Sequence, residues 1–390
     1  MTSSRRFVPP RLGRGCVRLV ASLAILLGLC ACNGSEEALI LAEDQAAGRP
    51  ADASAELGDG TVKVRHPSDY LRVTRYPTDL THADLATWNE QVPAVRQVEI
   101  ASSADATTQP ALFYDSGSDH AKPLLLVLHS WSTNYLQSVD IPLAQFAIAN
   151  DWVFMHPDFR GPNDGRPQTT ASDTVMTDIA DALAYARDNA RVDPSRLYLL
   201  GYSGGAMNAL RTAARYPQVF AGVSVWVPIH DLTRWYDYTA RRGEKYASEI
   251  SQVCGGAPTE GSAAHAECLS RSPRAHLPAV AGELRVFIAH GMGDRVVPPG
   301  QSLRVFNDLA LEDDRIPEHH IEYVNDRREL PPALRERSLH GGREFPRFAE
   351  AGADVLLYLR SGPAELVLFK GGHDMLYRPA LEWLARQRRE

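Results

Sequence analysis

Short, continuous apolar runs recur along the chain at residues 123–129, 152–156, 197–200, 220–227, 284–290 and 364–369. Runs of this length without polar alternation predict strands buried on both faces, as in the middle of a parallel sheet. Between them the apolar positions change period. Val175, Ile179, Leu183 and Ala186 recur at helical spacing, with Ser172 or Asp173 placed to cap a helix over 174–189. Further helices are expected near 141–150, 206–215, 302–311 and 380–388. Alternating strands and helices of this kind predict an α/β fold: a mostly parallel central sheet with helices on both faces. Two shorter runs, 97–102 and 110–114, flank a polar turn and predict a hairpin ahead of the first buried strand.

Two stretches break the rhythm. Residues 232–282 follow the sixth core strand and carry Trp235, Tyr236, Tyr238, Tyr246 and two cysteines. That is too long for a plain connection, so a helical, cap-like insertion is expected there. Residues 316–350 are polar and highly charged, and the pattern organises them into nothing definite.

The N-terminus follows a different logic. Five arginines precede an apolar run over 19–29, which ends in Leu29-Cys30-Ala31-Cys32. The run is too short to span a bilayer and fits a secretory signal over 1–31. Its end resembles a bacterial lipobox, which predicts lipidation of Cys32, attachment to a membrane and residence in the cell envelope. Cleavage without lipid is the alternative. Residues 32–69, rich in small and acidic side chains, are expected to be a flexible tether. The remainder, 70–390, is expected to be one domain with an N-terminal extension over 70–122. The net charge of −7 becomes more negative once the arginine-rich leader is removed, which argues against nucleic acid as a partner. With Cys32 lipidated in an oxidising compartment, Cys254 and Cys268 are left as a pair. A disulfide between them contributes about 3 kcal/mol in the chain-entropy picture. No cofactor is implied, and the cysteines lack the companions a zinc site needs.

The chemistry centres on Gly201-Tyr202-Ser203-Gly204-Gly205, where an apolar strand runs into a helix. This G-x-S-x-G pattern resembles the nucleophile elbow of α/β-hydrolases, in which a strained turn lifts a serine clear of the sheet. A serine hydroxyl needs a base, and the base needs an orienting acid. Asp294 and His373 follow later strands, in the order Ser, Asp, His. Asp231 is a weaker alternative acid. Gly204 is expected to supply one oxyanion N–H, and the Ser130–Trp131 loop the other, with the Trp131 N–H favoured. Trp131, Tyr202, Trp235 and Tyr236 are the candidates for substrate contact, with stacking on sugar rings set against simple packing within a lid.

Several local sequences together resemble the catalytic domain of the prolyl oligopeptidase family. They are Asp158-Phe159-Arg160-Gly161, Val192-Asp193-Pro194-Ser195-Arg196-Leu197, the elbow, and Pro217-Gln218-Val219-Phe220-Ala221-Gly222. The clan also holds dienelactone hydrolases and carbohydrate esterases. The resemblance implies an α/β-hydrolase fold with Ser203 as nucleophile, Asp294 as acid and His373 as base. About ninety residues lie between the signal and the domain, too few for the β-propeller that precedes this domain in prolyl oligopeptidases. The expected activity is therefore hydrolysis of a small-molecule or oligosaccharide ester. A peptidase acting on short peptides is the alternative, and a non-catalytic envelope binding protein is a second.

Overall fold

The computed structural model describes residues 83–339, 346–350 and 352–390, together with the backbone of three short strands further N-terminal. The expected signal and the Cys32 site lie outside the described residues. Nine strands form the central sheet: β1 (Arg96–Ala101), β2 (Thr108–Tyr114), β3 (Lys122–Leu128), β4 (Val153–Pro157), β5 (Val192–Tyr202), β6 (Gly222–Trp226), β7 (Val286–Gly291), β8 (Val355–Ser361) and β9 (Ala364–Phe369). Their order is β8-β9-β7-β6-β5-β3-β4-β2-β1. The pairs from β4 through to β9 are parallel, whereas β1, β2 and β8 run antiparallel to their neighbours. This is the expected α/β-hydrolase architecture.

The apolar runs divide between two cores because successive side chains of a strand point to opposite faces. Along β3, Leu124, Leu126 and Leu128 enter one core, while Leu125 and Val127 enter the other. Each fully buried leucine or valine contributes about 1.5–3 kcal/mol. The continuous apolar sequence is therefore the direct consequence of a strand covered on both sides.

After β3 the chain turns to β4 on one side, then crosses back through the helix Asp173–Asn189 to β5 on the other. Connections that diverge in this way open a crevice at the carboxyl ends of the strands, where ligands bind in open α/β sheets. Ser203 follows β5 at that edge. The helix Gly204–Arg215 then passes so close to β3 that a Cβ at Gly205 would overlap the Leu128 carbonyl oxygen. Gly205→Ala is expected to destabilise the fold by about 1–3 kcal/mol or more, through overpacking against backbone that cannot yield. Thermal unfolding of the variant checks this.

Three features go beyond the sequence expectations. The strand β8 is an edge strand bonded to β9 through the tight turn at Gly362. Residues 316–350 include the helices Glu318–Arg327, Pro332–Arg337 and Pro346–Glu350. Within the expected tether, Ser54–Glu56 pairs antiparallel with Lys63–Arg65, a local pairing the sequence does not announce. After β6, residues 232–282 fold as the helices Leu232–Ala240, Lys245–Cys254 and Ala263–Arg271, followed by two short 3-10 turns. Cys254 and Cys268 form a disulfide that ties the second of these helices to the third.

Candidate active site

Ser203 sits between β5 and its helix with φ 54° and ψ −119°. That backbone is strained for a residue with a Cβ, at a cost of order 1–3 kcal/mol. It persists because the turn is held on both sides: the Ser203 N–H donates to the Trp226 carbonyl at 2.9 Å, and the glycines allow the helix to close up. The Ser203 Oγ is 3.0 Å from His373 Nε2, and His373 Nδ1 is 2.6 Å from Asp294 Oδ2. Here Nδ1–H donates to the carboxylate, which leaves Nε2 to accept from the serine.

The two loops that carry the acid and the histidine are bonded to each other. The Met292 N–H donates to the Phe369 carbonyl, and the Gly293 N–H to the Gly371 carbonyl, each at 2.8 Å. A Cβ at Gly291 would collide with the Gly372 carbonyl, so glycine is required for this approach. Asp294 is fully buried. Its Oδ1 accepts from the N–H groups of Val296 (2.8 Å) and Val297 (3.0 Å), and its Oδ2 lies 3.2 Å from His290 Nε2. Burial pushes the carboxyl pKa up. The neighbouring His373 and His290 outweigh it and hold the group well below the usual carboxylate range. Asp231 is committed elsewhere: it caps the helix Leu232–Ala240 and accepts from Arg274 at 2.7 Å.

The oxyanion loop corrects one expectation. The Ser130 N–H and Oγ both donate to Gln137 Oε1, at 3.1 and 2.8 Å, and Gln137 is itself bonded to the buried Asp140. Ser130 is therefore a strut beneath the loop, with no donor to spare. The Trp131 N–H makes no hydrogen bond among the described residues. It lies so near the elbow that a Cβ at Gly204 would come within 2.8 Å of its nitrogen. Gly204 opens its helix, so its own N–H has no intrahelical acceptor. Two unspent N–H groups thus converge beside Ser203, the arrangement an oxyanion needs.

The expected substrate aromatics are mostly turned inward, which corrects their assignment. Tyr202 is buried, and its hydroxyl donates to the His373 carbonyl at 2.5 Å. Trp235 is 1% exposed, and its indole N–H donates to the Val296 carbonyl at 3.0 Å. Trp131 packs edge-on against Trp235 with ring centroids 4.8 Å apart. Only Tyr236 of the four is half-buried rather than buried, and it rests against the same core. Tyr202, Trp131 and Trp235 hold catalytic loops, and their faces are spent on packing.

The insertion grips both sides of the site. Trp235 and Tyr238 bind the backbone of the loop after Asp294, the latter through a 2.8 Å bond to the Arg295 carbonyl. Glu249 accepts from the Trp131 indole at 2.7 Å, and Lys245 donates to Ser132 at 3.0 Å. Glu249 is not singled out by its own surroundings in the sequence. It sits 118 positions from Trp131, and the only available signal was an acid within an aromatic-rich insertion. Glu249→Leu should lower kcat about tenfold by freeing the Trp131 loop, whereas Glu249→Gln, whose amide oxygen still accepts, should keep most of it. Steady-state kinetics on both variants checks this.

An α/β-hydrolase sheet with a serine at its elbow defines the class of serine hydrolases. Residues 144–325 match the model of the prolyl oligopeptidase family. It is 29% identical over 216 residues to a putative esterase, NocK, of Nocardia uniformis subsp. tsuyamanensis, covering 52% of this chain and 54% of the relative. It is 44% identical over 50 residues to an acetylxylan esterase of Coprinopsis cinerea, covering 13% of each. The chain thus spans about half the length of the first relative and far less of the second. Among solved structures, an acylaminoacyl peptidase of Pyrococcus horikoshii is 13% identical with a TM-score of 0.43, covering 55% of this chain and 34% of that one. A thermostable esterase is 12% identical with a TM-score of 0.42, covering 77% and 64%.

Proposed function

We propose that this serine hydrolase cleaves a carboxylic ester, of a small molecule or a carbohydrate, through an acyl-enzyme on Ser203. The observation that carries the proposal is the unbroken line of bonds from Asp294 through His373 to Ser203. In this mechanism Oγ attacks the carbonyl carbon as its proton passes to His373 Nε2. Asp294 steadies the imidazolium through Nδ1. The N–H groups of Gly204 and Trp131 hold the developing oxyanion. The tetrahedral intermediate collapses, the ester C–O bond breaks, and Nε2 returns the proton to the departing alcohol. Water then enters by the same steps in reverse and releases the acid.

The esterase names of the two curated relatives favour an ester over an amide. The family match supports the alternative, a peptidase of the prolyl oligopeptidase type. Turnover of p-nitrophenyl acetate, acetylated xylo-oligosaccharides and aminoacyl-proline arylamides separates the two. Dominant cleavage of the arylamide would reverse the preference.

We also propose that the chain is exported and anchored by lipid at Cys32. The Cys254–Cys268 disulfide supports an oxidising compartment. Mass spectrometry of the mature N-terminus tests the proposal: a diacylglyceryl-modified Cys32 is expected, and an unmodified or different terminus overturns it.

A further inference from the structure

A cleft of about 360 Å³ lies on the same edge of the sheet as Ser203, beyond the oxyanion loop. Asn134 and Tyr135, from the loop after β3, form one wall. Asp158 and Arg166, from the loop after β4, form another, and Thr107 and Gln109 at the start of β2 close the end. The loop after β4 is bonded directly to the oxyanion loop, since the Asn163 N–H donates to the Trp131 carbonyl at 2.8 Å. The sheet order sets the distance. Strands β3, β4 and β2 follow β5 in turn, and neighbouring strands lie about 4.8 Å apart. By strand spacing the cleft therefore spans from roughly 5 Å to roughly 14 Å from the elbow strand.

Its polar groups are only partly used. Arg160 is fully engaged by Asp178, Asp105 and Ser102 and serves as wall. Asp158 differs. Its Oδ1 takes one long contact, 3.4 Å from the Tyr135 N–H, and its Oδ2 has no hydrogen-bond partner among the described residues. Asn134 spends its carbonyl oxygen on the Leu136 N–H at 3.0 Å, which leaves the amide N–H₂. Arg166 uses Nε and one terminal nitrogen on Asp164 and the Arg160 carbonyl, which leaves the other nitrogen.

A carboxylate, an amide and a guanidinium with hydrogen-bonding capacity left over suit a neutral ligand rich in hydroxyl groups; the Arg166 charge is already matched by Asp164. A carboxylate or phosphate ligand would meet Asp158, and the apolar part of the wall, which includes Tyr135 and Pro162, can pack against the carbon face of a sugar ring. We propose that this cleft is a subsite for the oligosaccharide part of a carbohydrate ester, engaged a few sugar rings from the bond that is cut. The proposal rests on the ester function given above.

The test compares acetylated xylotetraose, acetylated xylose and p-nitrophenyl acetate on wild type, Asp158→Ala and Arg166→Ala. Arg166 is exposed, so its variant keeps the test valid where loss of Asp158 disturbs folding. Wild type is expected to favour the tetraose over the monosaccharide by about tenfold in kcat/KM. Each variant should lose that preference while p-nitrophenyl acetate stays within about twofold. Equal use of tetraose and monosaccharide, or an equal loss on all three substrates, overturns the proposal. If wild type cleaves no ester, the ester function itself fails. The cleft is then judged by calorimetric titration of unmodified xylotetraose: binding that Arg166→Ala weakens supports the subsite, and no binding overturns it.

Discussion

Ser203→Ala is expected to abolish turnover, with kcat falling by about 10⁶-fold, and to abolish labelling by a fluorophosphonate probe. The expectation follows from geometry. The Oγ is the atom 3.0 Å from His373 Nε2, and removing it leaves the base with no proton to take and the carbonyl with no nucleophile. The fold should survive. Ser203 N–H is bonded through the backbone to Trp226, and alanine carries the same Cβ at the same positive φ, so the strain of the turn is unchanged. Circular dichroism and thermal unfolding close to wild type, with activity gone, is the expected pair of results. Equal labelling of wild type and variant would remove Ser203 from the mechanism, and labelling of neither would favour a non-catalytic binding protein.

What was legible in the sequence follows from which contacts are local. The strands β3, β5, β6, β7 and β9 are apolar runs because both faces of each are covered, and burial alone writes that pattern. The order Ser203, Asp294, His373 is legible because each stands just past such a run. The edge strand β8 was missed for the converse reason. It lies at the margin of the sheet, where Val355, Leu356 and Arg360 are at least partly exposed, although the Gly362-Pro363 turn marked its end. The helix Glu318–Arg327 buries only Ile321 and Val324, too sparse a stripe to declare a period. The supporting contacts of the site were illegible. Glu249 under Trp131, Gln137 under Ser130 and Trp235 on Val296 join segments that only the folded chain brings together. The aromatic cluster 235–246 left stacking on sugar and packing within a lid side by side because sequence shows residue type without direction.

Asp294→Asn is expected to lower kcat by about 10⁴-fold while leaving the fold intact. The asparagine Oδ1 can still accept the Val296 and Val297 N–H bonds that fix the loop, so little stability should be lost. The change falls on Oδ2, which faces two histidines. His290 Nε2 faces two acceptors, the Val297 carbonyl at 3.0 Å and Asp294 Oδ2 at 3.2 Å, so it carries a proton, while Nδ1 lies 2.7 Å from Ser302 Oγ. His373 Nδ1–H approaches the same oxygen from the other side. An amide N–H₂ placed there would meet donors on both sides. His373 can relieve the clash by moving its proton to Nε2, so that Nδ1 accepts from the amide. That tautomer leaves Nε2 unable to accept from Ser203, and it removes the charge that stabilises the imidazolium. Fluorophosphonate labelling should slow in step with turnover, because both need the same proton transfer. His290→Gln offers the complementary measurement. It withdraws one partner from Asp294 and keeps the carboxylate, so it should cost far less than Asp294→Asn. A loss from His290→Gln equal to that from Asp294→Asn would show that His290, and not the line from Asp294 to Ser203, governs the base.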